Sequence, residues 1–304
     1  MFSRGIFREL HHTAMRQGAV VLAGVLGTLA ATVIIAGEAG YDMDALSDEQ
    51  KILANRMIEF ASDTETKFFG FVARVDGDVE VEERVFEYEH GDYDIKVVRG
   101  DVIEKAGFTN SVTKAGVKPF TQPSTWSRIV QVNIHPKSPL AGYLHGFVAF
   151  SYDADGKSSV GGWMDFIPGV VIEEDIAGVR QALDRVFEAH GVDQTPYRKA
   201  VCSGDRVVIL QHSCAGVSFY APPFYDVTEK NFDVVTDTFT ALFDAFIAIV
   251  ERRMDQEFDT TDVAAQEAMR RRWIYDQNIR DPYAQNVIPY EVRSFQNYPP
   301  TVRY

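Results

Sequence analysis

Two histidines and one carboxylate stand in stretches between Ile129 and Asp175 that otherwise read as buried strand. Residues 129–134 alternate apolar and polar with a period of two, and residues 146–152 are β-branched and aromatic, so two strands flank a loop at 136–144. His135 and His145 bracket that loop. A third run, 160–168, places a lone Asp165 in a glycine-led aromatic strand, where an unpaired carboxylate is costly unless it meets hydrogen-bond donors or a ligand. An imidazole and a carboxyl group held together are a usual pair for acid and base work. The same three residues could instead satisfy one another in the core. Glu173, Glu174 and Asp175 follow, where a first helical turn favours negative charge.

Such a trio needs a sheet to position it, and the flanking sequence predicts one. Ser47 caps a helix with Gln50 as its box partner, and Ile52, Leu53, Met57, Ile58, Phe60 and Ala61 form its apolar face up to about Lys67. Residues 68–75 and 79–88 read as strands joined at Asp76 and Gly77, a primed-turn signature, with glutamates on a solvated face. That acidic run lacks the ligand spacing of a calcium loop. Residues 95–103 continue the sheet into 104–111. The clearest helix is 173–190, with Ile176, Val179, Leu183, Val186 and Phe187 on one side and Gly191 as its stop. Residues 206–211 and 216–220 read as strands, the second broken at Pro222 and Pro223. Helices follow at 228–253, with an aromatic core stripe, and at 261–274, which carries Arg270, Arg271 and Arg272. The proline and asparagine content of 281–304 reads as an extended tail. Strands in succession before helices give an α+β fold with an antiparallel sheet.

The chain has 304 residues, 46% of them hydrophobic, enough for one large domain over 43–304 behind an N-terminal extension. A net charge of -14 argues against nucleic acid as a partner. Two cysteines, Cys202 and Cys214, fit neither a disulfide scaffold nor a zinc site, though they could form one bridge in an oxidising compartment. Residues 1–17 form a basic amphipathic segment with Arg4, Arg8 and Arg16 against Glu9. Residues 18–37 carry no charge, and this length crosses a hydrocarbon core of roughly 30 Å as a helix at about 1.5 Å per residue. The competing readings are a secretory segment cleaved near Ala36 or a buried helix. Acids at Glu38, Asp42, Asp44, Asp48 and Glu49 follow the span, so the positive-inside rule sends the domain out. Out is the mitochondrial intermembrane space or a bacterial periplasm. Gly24, Gly27, Ala30 and Ala31 within the span would let another helix approach closely, as a subunit of a membrane complex needs.

Six short blocks stand in order: G-x-x-I-E-K-A-G-x-x-x-S at 100–111, I-H-P-x-x-P-x5-H-G-x-V-x-F at 134–150, G-G-x-x-D-x-x-P-x4-E-E-D at 161–175, P-Y-R-K-x-x-C at 196–202, I-V-E-R-R at 249–253 and P-P-x-V-R-Y at 299–304. Together they resemble the oxygen-dependent coproporphyrinogen-III oxidase family, over about residues 100–304. The resemblance implies a large antiparallel sheet between helical layers, commonly in a homodimer. It also implies conversion of two propionates of a four-carboxylate porphyrinogen to vinyls, using oxygen and no essential metal or organic cofactor. Residue by residue, Ser111 falls on the family's substrate-contacting serine and His135 on the histidine of its V-H-P strand. His145 falls on its catalytic histidine, Asp165 on the aspartate of its glycine-rich motif and Asp281 on its catalytic aspartate.

The departures concern the substrate anchors. The family's H-x-N-x-R is His145-Gly146-Phe147-Val148-Ala149 here, so an amide becomes a phenyl ring and an arginine a methyl group. The arginine after the second aspartate is Pro282, a histidine pair becomes Gly178 and Arg180, and the acids of the G-G-L-F-F-D-D motif are absent from residues 215–221. Two expectations result: an accessory, non-catalytic subunit of an inner-membrane complex, or a working oxidase on a tetrapyrrole with His145 and Asp165 as acid and base.

Overall fold

Alternating side chains from Val81 to Ile167 build a meander in which each strand pairs antiparallel with the next. The structure, a computed structural model, describes residues 40–202, 215–220 and 223–301. The segments 1–17 and 18–37, the strand expected at 206–211 and Cys214 with its bridge to Cys202 lie outside the described residues. Among those described, no helix is long and apolar enough to cross a membrane.

The strands are β1 (Val81–Tyr88), β2 (Gly91–Val98), β3 (Ile103–Thr113), β4 (Ser124–Pro136), β5 (Tyr143–Asp153) and β6 (Ser158–Ile167), then the two-residue β7 (Val217–Ser218) and β8 (Phe224–Tyr225), which both pair with β6. The helices are α1 (Asp48–Asp76), α2 (Glu173–His190), α3 (Thr195–Cys202), α4 (Glu229–Arg253), α5 (Thr260–Tyr275), α6 (Pro282–Val287) and α7 (Tyr290–Gln296). A five-residue π turn, Asp276–Arg280, joins α5 to α6.

Residues paired in register share a face of a sheet. One face carries Val130, Val132 and Ile134 of β4, Leu144, Val148 and Phe150 of β5, and Met164 and Phe166 of β6, all buried. Helix α1 packs against β3 and β4 and helix α4 against β5 and β6, with α2 laid on α4. The ion pairs Arg56 with Asp233, Lys67 with Asp244 and Arg74 with Glu251 join α1 to α4 at one constant separation of 177 positions. A constant separation means the two helices run parallel in fixed register. At the far end of α4, Arg252 and Arg253 both grip Asp175 in the first turn of α2, which joins the E-E-D and I-V-E-R-R blocks.

Several expectations are corrected. Residues 68–75 continue α1 instead of forming a strand, because Phe68, Phe71 and Val72 extend the buried stripe of Met57, Ala61 and Thr64. Gly77, at φ 74°, ends that helix and does not turn a hairpin. The carboxylate of Asp76 accepts from the amides of Val102 and Ile103, which breaks the expected strand 95–103 between β2 and β3. The expected tail from 281 contains α6 and α7, and the strand at 216–220 shrinks to β7. The Ser47 and Gln50 capping box, the helix Glu173–His190 and the antiparallel α+β fold are as read.

The glycine pair of the third block has a packing role. A Cβ on Gly162 would sit 2.0 Å from the carbonyl oxygen of Phe147, whereas one on Gly70 in α1 would meet nothing. Gly162→Ala is expected to cost about 1–3 kcal/mol through backbone displacement. Gly70→Ala is expected to gain about 0.5–1 kcal/mol by helix propensity. Urea unfolding of the two variants should therefore shift in opposite directions.

Candidate active site

The second face of the sheet is the polar one. Lys105 lies opposite His135, Asn133 opposite His145, His145 opposite Asp165, and Phe147 opposite both Gln131 and Trp163. His135, His145 and Asp165 therefore share this face, and Ser111, opposite Ile129, lies on it farther along β3. No hydrogen bond joins these residues to one another, which corrects the reading that they satisfy each other. Strand register puts them on one face, but their partners come from elsewhere.

Those partners are largely one residue. Nε2 of His135 lies 2.8 Å from the backbone carbonyl of Asn297. A carbonyl can only accept, so Nε2 carries the proton and Nδ1 is a bare acceptor. The side-chain oxygen of Asn297 accepts from the amides of Asn133, at 3.1 Å, and Gln131, at 3.4 Å. The same Gln131 nitrogen approaches Nε2 of His145 to 3.2 Å, which places the proton of His145 on Nδ1. Nδ1 of each histidine has no hydrogen-bond partner among the described residues. Tyr143 donates to Asn133 at 2.5 Å, stacks on His135 at 4.1 Å and meets the edge of Trp273, which also abuts His145.

Lys105 clamps the same C-terminal turn, donating to the carbonyls of Ser294 at 3.1 Å and Tyr298 at 2.6 Å. Gly107 lets the turn approach, since a Cβ there would touch Gln296 at 3.0 Å. Sequence reasoning missed Lys105, Gln131, Asn133, Tyr143, Trp273 and Asn297. The available signal was an inward register: a lysine on the face that must also hold His135.

Burial sets the charges. It lowers His145 to about 3 and holds His135 well below the imidazole range, with Arg270 and Lys105 acting in the same sense on His135. It raises Asp165 to about 8, against the backbone amides of Phe166 and Gly216, which favour the carboxylate. It lowers Lys105 to about 7, reinforced by Arg99. At neutral pH the face thus presents uncharged imidazoles and a protonated carboxylic acid, with the bare acceptor on Nδ1 of His135 and the donor on Asp165.

Asp281 is elsewhere. Its carboxylate caps α6, accepting from the amides of Tyr283 at 2.9 Å and Ala284 at 3.1 Å, and burial raises its pKa. A chain of ring contacts, Tyr283 to Tyr220 to Phe147 to His145, separates it from the histidine. Arg198 of the P-Y-R-K block donates to Asp184 and to the Ala215 carbonyl, anchoring α3 beside β7.

A family model described as coproporphyrinogen III oxidase matches residues 56–281. The chain is 32% identical over 139 residues to the oxygen-dependent coproporphyrinogen-III oxidase of Francisella philomiragia, covering 42% of this chain and 44% of that one. It is 26% identical over 204 residues to the chloroplastic coproporphyrinogen-III oxidase 1 of Arabidopsis thaliana, covering 58% and 52%. The chain thus spans about half the length of these relatives. Among solved structures, phytochromobilin synthase from tomato in complex with biliverdin is similar at 12% identity and a TM-score of 0.47, over 75% of this chain and 74% of that one. With a family match that runs from α1 to the start of α6, the chain belongs to the coproporphyrinogen III oxidase family.

Proposed function

We propose that this chain keeps the family's sheet without its turnover and serves as a non-catalytic accessory subunit of an inner-membrane complex. In this reading residues 18–37 span the membrane and the domain 43–304 lies on its outer side. The observation that carries it is the filling of the histidine face by the chain's own C-terminal turn, whose Asn297 takes the hydrogen bonds of Gln131, Asn133 and His135. A porphyrinogen with four carboxylates needs cations to meet. Phe147 and Ala149 supply none, and the nearby cations are engaged: Lys105 on two carbonyls, Arg270 on Glu104 and Thr301, and Arg293 on Gln277, Ile288 and Tyr298. Each missing charge-assisted contact forfeits about 1.5–3 kcal/mol, roughly tenfold or more in binding.

One observation favours the second reading, an oxygen-dependent oxidase acting on coproporphyrinogen III or a related tetrapyrrole. His145 and Asp165 sit directly opposite each other, the imidazole uncharged and the carboxyl group protonated at neutral pH, so that Asp165 has a proton to donate.

The test is direct. The full chain in mild detergent, given coproporphyrinogen III in air, should yield vinyl product no faster than a protein-free control. Product above that control, lost in His145→Ala or Asp165→Ala, would establish the oxidase and overturn the accessory reading.

A further inference from the structure

The two ends of the sheet are finished differently. At the β6 end the sheet closes with the two-residue strands β7 and β8. At the other end β1 presents eight residues in unbroken register from Val81 opposite Val98 to Tyr88 opposite Gly91, and among the described residues nothing pairs with its outer side. Every second residue of such a strand turns its N–H and C=O away from its neighbour. Proteins guard such edges with proline, a bulge, a covering helix or charge. Here proline and bulge are absent from β1, and the guard is Glu82, Glu83 and Glu87, with Glu80 and Glu89 just outside the strand.

The two faces of β1 are not equivalent. On one, Arg84 pairs with Glu82 and lies over the Phe295 ring of α7, Phe86 packs on Phe295, and Tyr88 donates to Glu291. The other carries Val81, Glu83, Val85 and Glu87, alternately apolar and acidic, with Val81 41% and Val85 61% exposed. A second copy of the chain fits this edge badly. A twofold antiparallel pairing centred on Glu83 or on Arg84 sets that charged residue against itself, and one centred on Val85 sets Glu83 against Glu87 twice. Like charges directly opposite are destabilising.

The geometry points to β1 as a docking edge for an extended segment of another protein, one whose residues over the open face alternate apolar and basic. Backbone pairing supplies the affinity and the alternating side chains the selectivity, the mode known as strand addition. Valine-like residues meet Val81 and Val85, and lysine or arginine meets Glu83 and Glu87. The assignment stands whether or not the histidine face is catalytic, because the two surfaces share no residue.

The experiment uses the full chain and a blocked eight-residue peptide with lysine and valine alternating at every second position and threonine between them. Hydrogen exchange of the amides in Val81–Tyr88 should slow when the peptide is added, and the effect should weaken with salt. A peptide of the same composition with proline at its centre should give no slowing. Glu83→Lys with Glu87→Lys, both solvent-facing, should weaken binding about tenfold or more. Unchanged exchange at saturating peptide, equal slowing by the proline peptide, or undiminished binding by the charge-reversed variant would overturn the assignment. So would slowing that follows the chain's own concentration without peptide, which would give the edge to a second copy.

Discussion

Asp175→Ala is expected to lower the unfolding free energy by about 3–5 kcal/mol, since it strips a buried carboxylate from two arginines. Asp175 is 1% exposed and Arg253 has a side chain 12% exposed. Arg253 reaches both carboxylate oxygens, with Nε at 3.0 Å and Nη2 at 3.1 Å, while Arg252 approaches one of them to 2.5 Å. Burial makes this cluster expensive to break because Arg253 is left with only the exposed Glu174, at 3.4 Å, as a counter-ion. By contrast, truncating Asp233, Asp244 or Glu251 in the exposed α1–α4 pairs is expected to cost at most about 1 kcal/mol each. Urea unfolding of the four variants checks the ranking. A loss under about 1 kcal/mol for Asp175→Ala would show that the pair does not hold α2 to α4.

Asp165→Asn is expected to stabilise the protein by about 2–4 kcal/mol at pH 7 and to change little below pH 4. The folded carboxyl group titrates near 8 against an ordinary 3.8, so between these values unfolding releases a proton and wild-type stability falls as pH rises. Asparagine has no proton to lose, and its advantage grows through that window. His145 acts in the opposite sense: its pKa is about 3 folded against 6.5, so its contribution is present above 6.5 and lost as pH falls toward 3. His135 adds in the same direction. The two slopes oppose each other between about 4 and 6.5, leaving the Asp165 decline above that range. The difference in stability between variant and wild type should therefore grow with pH from about 4 to about 8 and then level. Parallel pH profiles for variant and wild type would mean that Asp165 is not held neutral in the fold.

Local chemistry made parts of this fold legible. The Ser47 capping box, the acid-led helix Glu173–His190 and the alternation of β4 through β6 each depend on neighbours a few residues away. The shared face of His135, His145 and Asp165 needed the register between strands, which alternation within each strand leaves open. Residues 68–75 misled because phenylalanine and valine favour strands in isolation, whereas here Phe68 packs on Phe108 and belongs to a helical stripe. The partners of the histidines were hidden for a different reason. Asn297 lies 162 positions from His135, in a stretch whose prolines and asparagines read as tail. The Asp175 grip was likewise in view as two separate blocks, 77 and 78 positions apart, with nothing local to join them.

The parallel arrangement of α1 and α4 also bears on the order in which the protein can fold as it is made. Helix α1 leaves the ribosome before any strand, so the apolar side of β3 and β4 finds its cover already waiting. The matching side of β5 and β6 has no such cover until Glu229–Arg253 has been synthesised, more than sixty residues after Ile167. During that interval Val148, Phe150, Met164 and Phe166 face water on a sheet whose hairpins are already able to pair. The nascent chain is therefore at its most adhesive in the middle of its synthesis, and the arrival of α4 is the event that ends this exposure.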